Sequence, residues 1–396
     1  MRILVTTSRM PFALGLIRRL AEGGHTVYAS DSYEVAPGSH SRFVEEHFVT
    51  AAPRADPERF AAQVRDFASE REVDLVVPTW EDVFYLSVHR GDMPLYAAPF
   101  SSLARLHDKA SFDRLCRELG VRAPETAVAR SQPELKEATE RWPRYFARAV
   151  YSRGGVSLLT NTGPLAGHVR IEDTQPSERS PWLVQEFVDG PMVCTYSTLH
   201  DGRATAHCTY RAPRQWEHST GIQFESVEPA ESLEVVEKVG GALGYTGQIS
   251  FDFVQSPDGL VIIECNPRTT DGVLLMTSDQ LAGGITEPDR ELVATGPGEV
   301  VQIDFAVFAA MFADGVREMP GSIRDLVHVR GSDRGWHDAL PTLYSFLAFA
   351  HHERLNVRER KQLFVAMSAD VCWDGDPIPG MSDDDAASLR DVQAPT

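Results

Sequence analysis

Two β-rich runs near residue 250 limit the fold of this chain more than any other feature of its sequence. One runs from Gln248 to Val254 and the other from Gly259 to Arg268. Because side chains alternate between the two faces of a strand, Asp252 faces away from the apolar side of the first run. A three-residue loop from Pro257 to Gly259 would pair Asp252 with Glu264. The sequence therefore predicts an antiparallel hairpin in which two carboxylates face each other.

Opposed carboxylates destabilise a sheet unless a cation lies between them. Like charges about 5 Å apart on paired strands destabilise the sheet. Asn266 projects to the same face as Glu264 and adds a carbonyl oxygen. Because such oxygen donors suit Mg²⁺, we predict a metal site formed by Asp252, Glu264 and Asn266. We expect Arg268, which follows directly, to act as a phosphate clamp and catalytic cation. The alternative is a hairpin with a solvated acidic face.

Length, charge and cysteine use limit the class of protein. The 396 residues suggest two or three domains at about 150 residues each. The 38 Lys and Arg against 57 Asp and Glu give a net charge of −19, which argues against nucleic acid and membrane surfaces as partners. No apolar stretch reaches the roughly 20 residues of a membrane span, and no signal-peptide core is apparent. The five cysteines form no CxxC pair, so we expect a cytoplasmic protein.

The first hundred residues alternate short β-branched runs with helical patterns. Arg2 to Thr6 and Thr26 to Ser30 are typical strands, separated by a helical pattern from Phe12 to Ala21. This alternation of strands and helices predicts a parallel sheet with helices on both faces. A dinucleotide site that uses Asp31 is an alternative. The loop from Thr7 to Pro11 argues against it, because a loop without glycine cannot approach a pyrophosphate closely.

The rest of the chain shows a different pattern of predicted secondary structure. From about residue 144 to 265, strands are joined by hairpin signals, which is typical of α+β folds. Helical patterns return beyond about 280. We therefore expect an α/β domain at 1–100, two lobes at 101–280, a helical or α+β completion of the fold at 281–375, and an acidic flexible tail at 376–396.

The run Glu264-Cys265-Asn266-Pro267-Arg268 resembles the metal-binding signature of the ATP-grasp superfamily. This family includes D-alanine ligases, biotin carboxylases and carbamoyl phosphate synthetase halves. The resemblance implies an α/β plus α+β fold, in which a Rossmann-like parallel-sheet pre-domain precedes an ATP-grasp domain of two α+β lobes. It also implies ATP and Mg²⁺, with two ions held against the phosphates by the predicted metal site.

The resemblance carries over to further nucleotide-binding residues. Lys109 matches the first ATP lysine, and the strand from Arg144 to Ala149 matches the strand that carries the second. The remaining matches are the glycine loop Ser152, Arg153, Gly154 and Gly155, and the adenine-binding segment Gln185, Glu186, Phe187 and Val188. Two positions depart from the family: Arg148 replaces the second lysine, and Met192 replaces a ribose-binding glutamate.

Two polar segments are weaker candidates. Arg211, with Arg214, His218 and Gly221 in the loop that follows, could cover the active site and take part in catalysis, or the loop could carry ordinary exposed charges. Glu81 and Asp82 follow a parallel strand, so they could hold a substrate ammonium group or simply open a helix.

The sequence therefore predicts an enzyme that joins a carboxylate to an amine through an acyl phosphate, with release of ADP and phosphate. We expect small-molecule carboxylate and amine substrates, with amino acids among the candidates, and a homodimer as the common default. Two alternatives remain open. One is an enzyme that activates bicarbonate or carbamate. The other is a degenerate nucleotide-binding regulatory protein, which the departures at Arg148 and Met192 would fit.

Overall fold

Three β-sheets organise the chain. The computed structural model describes residues 1–153, 158–216, 220–228, 230–313, 319–332, 337–359 and 367–394. Within these ranges, a four-stranded parallel sheet precedes a four-stranded antiparallel sheet and a larger mixed sheet of eight strands. The predicted combination of an α/β part with two α+β parts is confirmed.

The parallel sheet has the strand order β3-β2-β1-β4. Its elements are β1 (Arg2–Thr6), α1 (Pro11–Glu22), β2 (Thr26–Asp31), β3 (Val44–Val49), α2 (Pro57–Glu70), β4 (Leu75–Pro78) and α3 (Asp82–Val88). The consecutive residues Ile3, Leu4 and Val5 are all fully buried. Continuous apolar runs of this kind are typical of parallel strands that are covered on both faces.

Asp31, at the end of β2, is bound inside the protein. The Arg9 guanidinium lies 2.6 Å from its Oδ1 and 2.7 Å from the Oδ1 of Asp370, and the side chains of both Arg9 and Asp31 are buried. The carboxylate therefore serves as an ion-pair partner rather than as a ribose ligand. The same arginine ties the parallel sheet to the C-terminal part of the chain.

The antiparallel sheet of four strands has the order β5-β8-β6-β7. The elements up to β8 are α4 (Phe100–His107), α5 (Lys109–Glu118), β5 (Thr126–Ala129), α6 (Gln132–Thr139), β6 (Tyr145–Ala149), β7 (Leu158–Thr160) and β8 (Trp182–Glu186). The N-cap of α5 is Asp108, whose Oδ1 accepts a 2.7 Å hydrogen bond from the backbone N–H of Ser111. This cap makes Lys109 the first residue of α5.

The largest sheet has the order β13-β12-β9-β10-β11-β15-β16, and β14 pairs with β10. Its strands are β9 (Met192–His200), β10 (Arg203–Trp216), β11 (Thr220–Ser226), β12 (Gly247–Ser256), β13 (Gly259–Asn266), β14 (Val293–Ala294), β15 (Val300–Gln302) and β16 (Arg330–Gly331). The described helices of this part are α7 (Ala230–Leu243), α8 (Ser278–Thr286), α9 (Asp304–Ala313), α10 (Met319–His328), α11 (Leu340–Glu359) and α12 (Asp383–Gln393). Residues beyond 280 therefore extend the same sheet.

The hairpin of β12 and β13 pairs Asp252 with Glu264 by a route that differs from the prediction. The predicted three-residue loop is wrong, because Ser256 pairs with Gly259 across a two-residue turn. That change alone would turn Glu264 to the other face of the sheet. A β-bulge at Ile263 inserts one extra residue and restores the opposition. Both carboxylates therefore still lie on one face.

The acidic C-terminal segment is a packed helix, so the predicted flexible tail at 376–396 is wrong for the residues of α12. Ser382 caps the helix by accepting a 3.1 Å hydrogen bond from the backbone N–H of Asp385. The aspartates in the first turn complement the helix dipole, which explains how an acidic segment folds. Leu389 and Val392 are buried in the same apolar core as residues of α4.

Substitution of Leu389 tests this packing. Leu389→Ala should lower the free energy of unfolding by about 2–4 kcal/mol, because it leaves a cavity where a leucine side chain that is only 3% exposed was packed. Urea denaturation measures the change. Asp384→Asn, an exposed substitution on the same helix, is the matched control and should cost less than about 1 kcal/mol. Equal stabilities of the Leu389 variant and the wild type would contradict a packed α12.

Candidate active site

A cavity of about 560 Å³ lies where the three sheets meet. Its walls come from α1, β6, β8, β9, β10, β12 and β13, so every sheet or its helices contribute to it. The face of the β12–β13 hairpin that carries Asp252, Glu264 and Asn266 opens into this cavity. The structure thus brings the predicted hairpin carboxylates to this cavity.

Glu264 is held by two cations from other elements. The Lys109 ammonium lies 3.3 Å from its Oε1, and Nη1 of Arg148 lies 2.5 Å from its Oε2. Burial by itself would raise the pKa of Glu264, but the attraction of Lys109 and Arg148 lowers it to about 2. Glu264 is therefore ionised at neutral pH.

Backbone carbonyls fix the positions of both cations. Lys109 Nζ donates to the carbonyl oxygens of Ser152 and Val150, at 2.7 and 3.2 Å. Arg148 Nη2 donates to the carbonyl oxygen of Ile263 at 2.6 Å. Because Ile263 is the bulged residue, the irregularity that sets the register also provides an acceptor for Arg148. Burial lowers the pKa of Lys109, and Glu264 opposes this effect.

Asp252 differs from Glu264 in its charge environment. Among the described residues, no lysine or arginine lies within ion-pair distance of Asp252, and Asn266 Nδ2 donates to its Oδ2 at 3.4 Å. Burial, together with the repulsion of Glu264, raises the pKa of Asp252 to about 6. Two carboxylates and an amide oxygen therefore face one cavity, and the ion pairs of the described residues involve Glu264 but not Asp252. This donor set fits a divalent cation that prefers oxygen.

Arg268 lies between Asn266 of β13 and Trp80, which follows β4. Its Nη2 donates to Asn266 Oδ1 at 3.0 Å, and its guanidinium lies 3.6 Å from the ring centroid of Trp80. Cation–π contacts of this kind hold an arginine in place without neutralising its charge. Arg268 therefore brings a positive charge to the cavity wall.

Arg153 is occupied by structural partners. Its guanidinium donates two 2.8 Å hydrogen bonds to Glu81 and one of 2.7 Å to Asp374. Glu81 also accepts a 2.7 Å hydrogen bond from the backbone N–H of Trp373. Burial would raise the pKa of Glu81, but the attraction of Arg153 and other cations lowers it to about 2. The pair joins the parallel-sheet domain to the base of the predicted glycine loop.

The structure gathers most of the predicted nucleotide residues at the cavity. The predicted residues that line it are Arg148, Ser152, Arg153, Gln185, Glu186, Phe187, Val188 and Met192. Met192 is 38% exposed, so it belongs to the cavity wall and not to the core. Lys109 is not among the residues that line the cavity, and its ammonium group pairs with Glu264, which does line it. Gly154, Gly155 and His218 lie outside the described residues.

Arg211 is not brought to the cavity with the other predicted residues. Its side chain is half exposed and pairs with Glu225 of β11 at 2.7 Å. Its neighbours Tyr210 and Ala212 line the cavity instead, because alternate residues of a strand point to opposite faces. Arg214 binds Asp325 and Ser322, away from Glu264.

The acidic pair after β4 is bound by internal partners and stands at the start of α3, which favours the helix-opening alternative over a substrate ammonium site. Glu81 binds Arg153, and Asp82 accepts hydrogen bonds from the side chain of Thr6 and the backbone N–H of Trp80. A different carboxylate, Asp271, lines the cavity and was missed by the sequence reasoning. Its position three residues after Arg268 was the available signal.

The comparisons with known proteins point to one fold. The chain is 27% identical over 188 residues to the large chain of carbamoyl phosphate synthase from Thermus thermophilus, which covers 44% of this chain and 18% of that protein. It is 26% identical over 235 residues to the C-terminal section of the same large chain from Methanopyrus kandleri, which covers 54% of this chain and 41% of that protein. The chain thus spans less than half the length of these relatives. No family model matches the chain.

Solved structures agree with this result. Phosphoribosylamine–glycine ligase from Thermotoga maritima superposes with a TM-score of 0.58 at 13% identity, over 76% of this chain and 78% of that one. N5-carboxyaminoimidazole synthetase from Staphylococcus aureus, in complex with ADP, superposes with a TM-score of 0.58 at 12% identity, over 81% and 86%. The biotin carboxylase domain of the Hydrogenobacter thermophilus 2-oxoglutarate carboxylase, with MgADP and bicarbonate, superposes with a TM-score of 0.57 at 14% identity. The superposition covers 74% of this chain and 71% of that one.

These likenesses identify the class of protein: the chain has the ATP-grasp fold, as the resemblance predicted. Enzymes with this fold use ATP and Mg²⁺ in general. None of the described helices combines the length and the apolar character that a bilayer crossing requires.

Removal of the Glu81 charge tests the ion pair with Arg153. Glu81→Gln should destabilise the fold at pH 7 by roughly 3–5 kcal/mol, because it leaves a buried guanidinium with one fewer counter-ion. The folded-state pKa of Glu81, about 2, lies below its unfolded value, so its stabilisation is present above about pH 4.5 and is lost as the pH falls toward 2.

Thermal unfolding of the two proteins between pH 7 and pH 2 measures this dependence. The gap in stability should narrow as the pH falls below about 4.5. Glu58→Gln, at an exposed glutamate in the first turn of α2, is the control. A gap that stays constant across the pH range would show that the Glu81 charge does not stabilise the fold.

Proposed function

We propose that this chain is an ATP-dependent ligase that joins a carboxylate to an amine. A carboxylate oxygen attacks the γ-phosphorus of ATP, the bond between that phosphorus and the bridging oxygen breaks, and ADP leaves. The amine nitrogen then attacks the carbonyl carbon of the acyl phosphate, the C–O bond to phosphate breaks, and the amine loses a proton. This sequence requires no protein nucleophile, only groups that bind and stabilise anions.

The observation that carries the proposal is the cluster of cations around Glu264. Lys109 and Arg148 are buried beside the cavity and hold this carboxylate from two different elements. Phosphoryl transfer between two anions needs positive charge placed before the reaction, since it then costs no reorganisation. In the proposed reaction, Lys109 and Arg148 bind phosphate oxygens of ATP and Glu264 keeps both cations aimed at them.

Asp252, Glu264 and Asn266 would hold Mg²⁺ in this enzyme. The ion, when bound, neutralises charge on the phosphates and lowers the barrier to phosphoryl transfer. The donor set of the hairpin supports this assignment, since Asp252 forms no close ion pair among the described residues and Asn266 lies beside it. The family resemblance predicts two ions.

The nucleotide base would occupy the end of the cavity formed by β8 and the residues that follow it. Gln185, Glu186, Phe187 and Val188 line this end, and Phe187 supplies an aromatic face. The Arg144 guanidinium lies 4.4 Å from the Phe187 centroid and pairs with Asp189, which keeps the ring in position. The carboxylate substrate would lie at the opposite end, where Arg268 would bind its oxygens and stabilise the charge that develops on them.

Activation of bicarbonate is the second candidate function. Carbamoyl phosphate synthase and a biotin carboxylase domain with bound bicarbonate are among the similar proteins. The two functions share the acyl phosphate step and differ in the carboxylate. ADP release that depends on added bicarbonate, and not on an organic acid, would favour this candidate. A regulatory protein without catalysis would release no ADP in either assay.

Substitution of Glu264 tests the phosphoryl-transfer centre. Glu264→Gln should lower Mg²⁺-dependent ADP release by at least about 100-fold, because the variant loses a metal-binding carboxylate and the anchor of two cations. The control is Glu178→Gln, which removes an exposed partner of Arg130 and should leave the rate unchanged. Circular dichroism verifies that both variants fold. An unchanged rate in folded Glu264→Gln at limiting Mg²⁺ would contradict the metal assignment.

Substitution of Met192 tests the position of the ribose. Because methionine offers no strong acceptor, the wild type should use ATP and deoxy-ATP with similar kcat/KM. Met192→Glu supplies an acceptor at an exposed cavity position, so it should favour ATP by about 10- to 150-fold. Met192→Leu keeps the apolar wall and is the control. Strong discrimination by the wild type would contradict this placement of the ribose.

A further inference from the structure

A second part of the cavity, beyond the opposed carboxylates, is lined by aromatic rings. Phe12 stacks on Trp80 with centroids 5.5 Å apart, and Tyr210 meets Phe224 edge to face at 5.9 Å. All four residues line the cavity, and we call them the aromatic wall. Each of these rings is at most 6% exposed because the rings also pack in the core, so the aromatic wall offers the cavity a small apolar face that an apolar group could contact.

Opposite charges lie beside the aromatic wall. Arg268, with only 9% of its surface exposed, packs against Trp80, and its Nε has no hydrogen-bond partner among the described residues. Asp271 lines the same cavity, and the positive charge of Arg268 attracts its carboxylate. Within the described chain, Asp271 forms no ion pair and accepts no hydrogen bond from another residue. Burial raises the pKa of this carboxyl to about 7, and Arg268 opposes the shift.

A carboxylate that faces a cavity without a partner is a receptor for a cationic group. The other described carboxylates of the cavity are engaged: Glu264 binds Lys109 and Arg148, and Glu186 accepts a hydrogen bond from the backbone N–H of Glu125. Asp252 belongs to the proposed metal site. Asp271 is therefore the carboxylate that remains for a substrate.

The backbone holds Asp271 in a defined place. The next residue is Gly272, and a Cβ at that position would lie 2.8 Å from Tyr210 Cε1. Only glycine lets this segment approach the ring so closely. On the other side, Tyr210 Oη donates to Thr270 Oγ1 at 3.4 Å. The carboxylate and the aromatic wall are thus parts of one packed unit.

We infer that the carboxylate substrate is an α-amino acid with an aromatic or large apolar side chain, whose ammonium group binds Asp271 and whose side chain contacts the aromatic wall. An α-amino acid carries its carboxylate and its ammonium group on one carbon, which matches a cation and an anion that lie near each other. The inference rests on the proposed function, because it assigns the activated carboxylate to the Arg268 end of the cavity.

Hydroxylamine allows a test that does not require the natural amine. It attacks an acyl phosphate at the carbonyl carbon, releases phosphate and gives a hydroxamate, which is measured directly. The assay contains Mg²⁺–ATP, hydroxylamine and one of three acids: phenylalanine, alanine or 3-phenylpropanoate. We expect phenylalanine to give the highest kcat/KM, with at least about a 10-fold loss for alanine, which lacks the ring, and for 3-phenylpropanoate, which lacks the ammonium group.

The Asp271→Asn variant separates the ammonium contact from a general loss of activity. It should raise KM for phenylalanine by about 10- to 150-fold and leave KM for 3-phenylpropanoate and for ATP nearly unchanged. Asp289→Asn, at an exposed aspartate after α8, is the matched control and should change none of these constants. Calorimetric titration of phenylalanine into the protein with Mg²⁺–ADP should give the same loss of affinity, without any need for turnover.

The outcomes distinguish this inference from the proposed function. Hydroxamate formation that shows no preference for the ring or the ammonium group would overturn the inference and leave the ligase function intact. An equal effect of Asp271→Asn on phenylalanine and 3-phenylpropanoate would also overturn it. Absence of ADP release with every acid and with bicarbonate would overturn the proposed function. In that case, failure of phenylalanine to bind in the titration would overturn the inference as well.

Discussion

The active-site geometry depends on one buried carboxylate shared by two cations. Glu264 comes from β13, Lys109 from the start of α5 and Arg148 from β6, so their ion pairs connect two of the three sheets around the cavity. Loss of one partner from a buried cluster costs roughly 3–5 kcal/mol, because the remaining charges lose their compensation. The cations that are proposed to bind phosphate therefore also hold the two lobes in register.

The parallel-sheet domain takes part in the same site. Trp80 follows β4 and supports Arg268 through its ring, while the neighbouring Glu81 binds Arg153 at the base of the predicted glycine loop. The C-terminal segment closes this arrangement, since Trp373 donates its backbone N–H to Glu81 and Asp370 binds Arg9. Residues from both ends of the chain thus complete a centre that the middle of the chain builds.

Sequence reasoning succeeded where the deciding interaction is local. The alternation within β12 and β13 placed Asp252, Glu264 and Asn266 on one face, even though the predicted loop was one residue too long. The β-bulge that corrected the register has no signal in the residues themselves, because it depends on the carbonyl of Ile263 meeting Arg148 from another strand. The assignment of Arg211 failed for a similar reason, since a strand that continues through it turns its side chain outward.

The sequence alone determined the fold class and the hairpin with its opposed carboxylates, because strand period and motif spacing act over a few residues. Only the tertiary structure decided which charges are free. Glu81 and Asp82 are bound by internal partners, whereas Asp271 lines the cavity. The acidic C-terminal segment packs against α4. Partners that are far apart in the chain decide these outcomes, since a buried charge takes its properties from whatever the fold packs against it.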